Sequence, residues 1–161
     1  MAFDHVFLAP VLLTKGGMTP HKLPLPDSVA EPLREAKVRR LVGTIADAPF
    51  RLALHRHGDL SFIALSRDRM KTLGLTAGDL VGVELSADPD PDQVEPGAEL
   101  AAALADDAQA RATWDDITPG MRRALAHRVT SAKRETTRRD RATEVAARLR
   151  DGTHETLKRR W

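Results

Sequence analysis

The chain has 161 residues, 42% hydrophobic and 30% charged, which is the composition of a folded protein rather than a disordered one. It contains no cysteine, so a disulfide framework, a thiolate zinc site and a cysteine nucleophile are all excluded. The net charge of +2 is unevenly spread: residues 1–83 carry 11 Lys/Arg against 8 Asp/Glu, residues 84–116 carry 1 against 10, and residues 117–161 carry 13 against 5.

A chain of this size buries about 70% of its unfolded surface, enough for a real core without staples. Its longest uncharged apolar stretch near the start, Val6 to Thr14, is nine residues and contains Pro10. A membrane-spanning helix needs about 20 apolar residues. A secretory leader would begin with basic residues, whereas Asp4 is the sole charge before Lys15. The expectation is a soluble, unexported, cytoplasmic protein with no membrane partner.

Phe3-Asp4-His5-Val6-Phe7-Leu8 has strand character, broken by Gly16-Gly17 before Leu23-Pro24-Leu25. Asp27-Ser28 ahead of Val29-Ala30 looks like a cap on one short helical turn. Val38 to Ile45 and Phe50 to Leu54 form a hairpin across Ala46-Asp47-Ala48-Pro49, with Phe50, Leu52 and Leu54 on one face. Gly58-Asp59 makes the next turn, and Leu60 to Leu65 is another strand. Ser66 caps a helix whose inward residues are Met70 and Leu73, and Gly74 ends it in a left-handed conformation. Thr76-Ala77-Gly78-Asp79 turns into the strand Leu80 to Leu85.

Beyond Asp88 the character changes. Asp88-Pro89-Asp90-Pro91-Asp92 reads as a stiff, acidic linker. Leu100 and Leu104 share a face of a short Ala-rich helix, and Ala108 to Trp114 forms a second, capped by Asp106 or Asp107. Thr118-Pro119 starts a long helix with an apolar stripe of Met121, Leu125, Val129 and Ala132, resumed by Ala142, Val145, Ala146 and Leu149 and ended by Gly152. The tail from Thr153 to Trp161 has no assignment.

These residues resemble a bacterial family. Val38 to Asp88, with Gly43-Thr44-Ile45, Leu73-Gly74-Leu75 and Gly78-Asp79-Leu80-Val81, is similar to a barrel domain of unknown function. Leu100 to Gly152, with Trp114, Ile117, Pro119, Ala132-Lys133-Arg134, Thr137-Arg138 and Arg141, is similar to the module known as YdeI/OmdA (bacteriocin-protection, OmpD-associated) that follows it. The resemblance implies an α+β fold: a small double-split β-barrel like that of AbrB-type regulators over residues 1–88, then a helical region over 89–161. It carries over no catalytic residue. Arg128, Thr136 and Ala142 stand where the family has an aromatic, a glutamate and a branched apolar residue, which implies looser packing there.

The remaining constellations are weak. His55 and His57 lie two apart beside Asp59 and lack a third metal ligand. Asp88, Asp90, Asp92 and Glu99 have roughly calcium-loop spacing, but Gln93 stands where that loop needs glycine. No glycine-rich phosphate loop or G-x-S-x-G elbow occurs. No metal or cofactor is implied. The basic end is the sharpest feature: Lys133, Arg134, Arg138, Arg139 and Arg141 cluster on the helix and are the candidate contacts for nucleic acid or an acidic protein. The competing reading is a face that pairs with the acidic 84–116 belt. The resulting expectation is a non-enzymatic binding or stress- and bacteriocin-protection protein. The alternatives are a nucleic-acid binder, with the barrel as a homodimer contact, and a small-molecule-binding barrel or enzyme.

Overall fold

The computed structural model describes residues 2–15 and 19–158, so Gly16-Gly17 and the last three residues of the tail lie outside it. The chain divides into two compact units, Met1–Pro91 and Asp92–Trp161.

The first unit has seven antiparallel strands: β1 His5–Pro10, β2 Leu12–Leu13, β3 His21–Pro24, β4 Arg40–Ile45, β5 Ala48–His57, β6 Leu60–Leu65 and β7 Leu80–Ala87. Their order, β1-β7-β4-β5-β6-β3-β2, curls into a nearly closed barrel. β5 makes the curl possible. Its residues Ala48 to Ala53 pair with β4, and Leu54 to His57 pair with β6. Strict alternation sets the inside: Val81, Val83 and Leu85 of β7 are buried, while Leu80, Gly82 and Glu84 face outward. Leu41, Ile45, Phe50, Ile63 and Leu65 complete the core, closed at its ends by Leu33 and Met70.

Two helices belong to this unit, α1 Asp27–Glu35 and α2 Arg67–Leu73. The cap expected at α2 is present, with the Ser66 Oγ accepting from the Arg69 amide at 3.1 Å and Gly74 at φ 66°. α1 differs from its expected single turn. It runs nine residues without a side-chain cap, and the Pro26 carbonyl receives the Val29 and Ala30 amides instead. The β4–β5 turn is also tighter than expected. Ala46 and Asp47, at φ 48° and 63°, form a two-residue turn of the mirror-image kind whose twist suits a hairpin. Ala48 and Pro49 are therefore strand residues.

The second unit contains α3 Ala98–Ala105, α4 Ala108–Asp116, α5 Pro119–Thr130, α6 Glu135–Arg150 and α7 Glu155–Lys158. Asp107 and Thr118 cap α4 and α5, accepting from the amides of Ala110 at 3.0 Å and Met121 at 3.3 Å. Leu100, Leu104, Trp114, Leu125, Val129, Val145 and Leu149 form the core. The expected apolar stripe is thus correct, but the single long helix is not. The chain breaks between Thr130 and Glu135, and α6 doubles back against α3, α4 and α5. α7, absent from the sequence-based expectation, adds the buried Leu157. The fold is α+β, a small β-barrel followed by helices.

Gly43 is the least replaceable position in the barrel. A Cβ there would sit 1.9 Å from the Glu84 carbonyl oxygen and 2.8 Å from the Leu85 Cα, both immovable backbone. Gly43→Ala is predicted to cost about 3 kcal/mol or more, at the upper end of overpacking penalties. Denaturant unfolding measures it, and an unchanged midpoint would mean that β4 and β7 separate there freely.

Candidate functional site: the arginine-capped helix break

The break between α5 and α6 gathers most of the basic residues singled out in the sequence. α5 ends at Thr130, where an α-helix leaves its last carbonyls without amide partners and a partial negative charge. Arg141 supplies a donor to one of them, and Arg138 serves carbonyls of the turn that follows. Arg138, one turn into α6, donates through Nη1 to the carbonyls of Ala132 at 3.2 Å and Lys133 at 3.0 Å. Arg141 donates through Nη1 to the Arg128 carbonyl at 2.8 Å. The same Arg138 donates through Nε to Glu99 Oε1 on α3, at 2.6 Å.

The five predicted contacts therefore have unlike surroundings. Arg138 and Arg141 are half-buried and engaged, and Arg139 pairs with Glu135 on its own helix. Lys133 and Arg134 are exposed in the break itself. They do not all lie on one helix as expected, because Lys133 and Arg134 precede α6. Two more cations are tied down nearby. Arg128 meets Glu144 at 2.8 Å, and Arg150 meets Asp107 at 3.1 Å.

The Arg138 hydrogen bond, together with the Glu99 backbone amide, holds the Glu99 carboxyl below the ordinary glutamate range. Beside this pair, α3 and α6 flank an open hollow of about 430 Å³. Ala102, Ala142, Glu99, Asp106, Glu135 and Arg139 are among its lining residues.

A second ionic centre lies in the barrel and corrects the reading of Asp88 as linker. Its side chain is only 2% exposed and accepts from Arg51 Nε at 2.6 Å. The Asp90 amide donates to the same carboxylate at 3.0 Å, and Arg40 Nε lies 3.8 Å away. Arg51 also donates to the Asp90 carbonyl. Burial pushes the Asp88 carboxyl up, but the Arg51 and Asp90 hydrogen bonds and the charges of Arg51 and Arg40 outweigh it, so the net shift is downward. Register explains the meeting: Arg40 and Arg51 alternate out of the core, and the pairings of β7 with β4 and of β4 with β5 bring position 88 within reach of both.

Elsewhere, β5 does extend through His57, and the His55 ring stacks on Phe62 at 5.5 Å, with Lys22 Nζ 4.4 Å from the same ring centre. Among the described residues no three His, Asp or Glu side chains gather in a metal-holding arrangement. No helix of the described residues is long and apolar enough to cross a membrane.

The arginine-capped break and its α3 partner lie inside residues 93–152, which match a family model described as "Bacteriocin-protection, YdeI or OmpD-Associated". The helical unit is thus similar to the YdeI/OmdA family. Residues 7–85 match "Domain of unknown function (DUF1905)", in agreement with the barrel's resemblance to a domain of unknown function. No curated protein and no solved structure matches the chain. In this unit Arg141 caps α5, and Arg138 secures the turn that follows it.

Two variants test these assignments. Arg138→Ala should destabilise the protein by about 2 kcal/mol, the scale for losing hydrogen bonds to a charged group. A melt identical to that of the unaltered chain would make Arg138 a free surface residue. Asp88→Asn should also cost about 2 kcal/mol at neutral pH. Because the folded Asp88 carboxyl titrates below its unfolded value of 3.8, its contribution is complete well above that pH and fades as pH falls through it. The stability gap between the two proteins should therefore shrink on acidification, and a constant gap would contradict the assignment.

Proposed function

We propose that this chain is a non-enzymatic binding and protection protein of the bacterial cytoplasm, acting through its YdeI/OmdA unit. The observation that carries this reading is the Arg138–Glu99 pair within the family-matching segment. A carboxylate held charged by a guanidinium suits a rigid, charge-patterned docking surface, whereas a general acid or base needs a pKa near the working pH. Asp88, the other carboxyl shifted downward, is fixed in the same way. The family description names protection and association rather than a reaction, which agrees with this chemistry.

Partner contact then falls to the cations left at the surface, Lys133 and Arg134, with Arg139 beside them. Arg138 and Arg141 support that surface from behind, by fixing the turn that presents it. An acidic protein is the partner that suits so small a patch. A nucleic acid would draw on more phosphate contacts than these three residues supply.

Cells expressing the chain should survive bacteriocin challenge better than cells with an empty vector, and equal killing across a bacteriocin panel would defeat the proposal. In vitro, labelled duplex DNA should show no binding at physiological salt. Affinity that falls steeply between about 50 and 200 mM salt, and disappears in a Lys133→Ala, Arg134→Ala variant, would replace this reading with nucleic-acid binding.

A further inference from the structure

The barrel carries a surface that the reading above does not use. Val6, Leu8 and Leu80 are 69%, 62% and 65% exposed, and all three project from the outer face of the β1–β7 pair. Register makes them neighbours: Leu8 lies opposite Gly82, Val6 opposite Glu84, and Pro10 opposite Leu80. Gly82 lies between them with nothing near the place a Cβ would occupy, so the centre of the patch is flat and open. One isolated exposed leucine means little, but three adjoining aliphatic side chains on one sheet face mark an interaction surface.

The patch borders a hollow of about 300 Å³ formed with the end of β4 and the Ala46-Asp47 turn. Asp47 and Glu84 line it, and no lysine or arginine does. Neither carboxylate makes an ion pair with the described residues. The hollow therefore joins apolar side chains to two carboxylates, with no cation among its lining residues.

That charge decides the occupant. A second copy docked face to face would bring two more uncompensated carboxylates into a drying contact, which is costly. A cationic segment would neutralise them, and its aliphatic face would cover Val6, Leu8 and Leu80. We propose that the outer face of β1–β7 is the docking surface for a basic amphipathic segment of a partner protein. The aliphatic residues supply most of the affinity and Asp47 and Glu84 select the partner. This proposal does not depend on the role of the helical unit.

The test uses the full chain and two short labelled peptides of the same amphipathic pattern, one of Leu and Lys, the other of Leu and Glu. The Leu/Lys peptide should bind and the Leu/Glu peptide should not, with hydrogen-exchange protection gained at β1 and β7. Replacing Leu8→Ser and Leu80→Ser together should weaken binding about tenfold or more, a loss expected when buried apolar contacts are removed. Asp47→Asn with Glu84→Gln should weaken it and flatten its salt dependence. These side chains are exposed, so the variants should melt with the unaltered protein. If the serine pair did not fold, the charge pair alone would decide the matter. Undiminished binding in the variants, protection elsewhere, or equal binding of both peptides would overturn the proposal. So would a dimer in sedimentation that the serine pair dissolves, since the occupant would then be a second copy.

Discussion

The barrel depends on one strand serving two neighbours. β5 hydrogen-bonds to β4 along its first six residues and to β6 along its last four, so the ladder changes partner between Ala53 and Leu54. A flat sheet of seven strands could not enclose Leu41, Ile63 and Leu85 in a common interior, whereas a sheet that turns through β5 can. The same curvature presses β7 onto Gly43, which is why no side chain fits there. It also places Arg51 on the outer surface within reach of Asp88 as the chain leaves β7.

In the helical unit, the ordering principle is electrostatic. The acidic belt and the basic end meet at particular points, Arg138 with Glu99 and Arg150 with Asp107. Exposed pairs of this kind are worth little individually. Arg138 is different because the same guanidinium satisfies two backbone carbonyls at the helix break. Charge asymmetry that looks like a nucleic-acid signature is here partly internal wiring, turned to fixing how α6 leaves α5.

What could be read from the sequence was local. Ser66, Gly74, Asp107 and Thr118 act on amides or dihedrals within a few positions of themselves, so residue type and spacing suffice to find them. Alternation in Leu80 to Leu85 and the stripe from Leu125 to Leu149 likewise report which side faces inward. The failures were of two kinds. The Ala46-Asp47 turn lacks the Asn-Gly or Asp-Gly pair that marks its type, so local chemistry pointed to a longer loop. The break after Thr130 contains neither glycine nor proline, and the apolar stripe runs through it undisturbed. At the break Arg138 donates to the Ala132 and Lys133 carbonyls, which a continuous helix would have consumed. Asp88 was misread for want of the register that brings it to an arginine 37 positions earlier. The candidate site was legible as a set of residues. Its division into capping and surface members was not.

The pairing of β1 with β7 has a consequence for synthesis. His5 waits for Leu85, so β1 has no partner until almost all of the barrel has left the ribosome. At ordinary translation rates that is an interval of roughly 4 to 16 seconds. Throughout it, the alternating apolar residues of β1 are an unpaired strand edge, the form in which chains aggregate or attract chaperones. The helices behind it can form from local contacts as soon as they emerge. Closure of the barrel is therefore the slow, vulnerable event in the life of this chain, and it is set by the longest-range strand pairing in the fold.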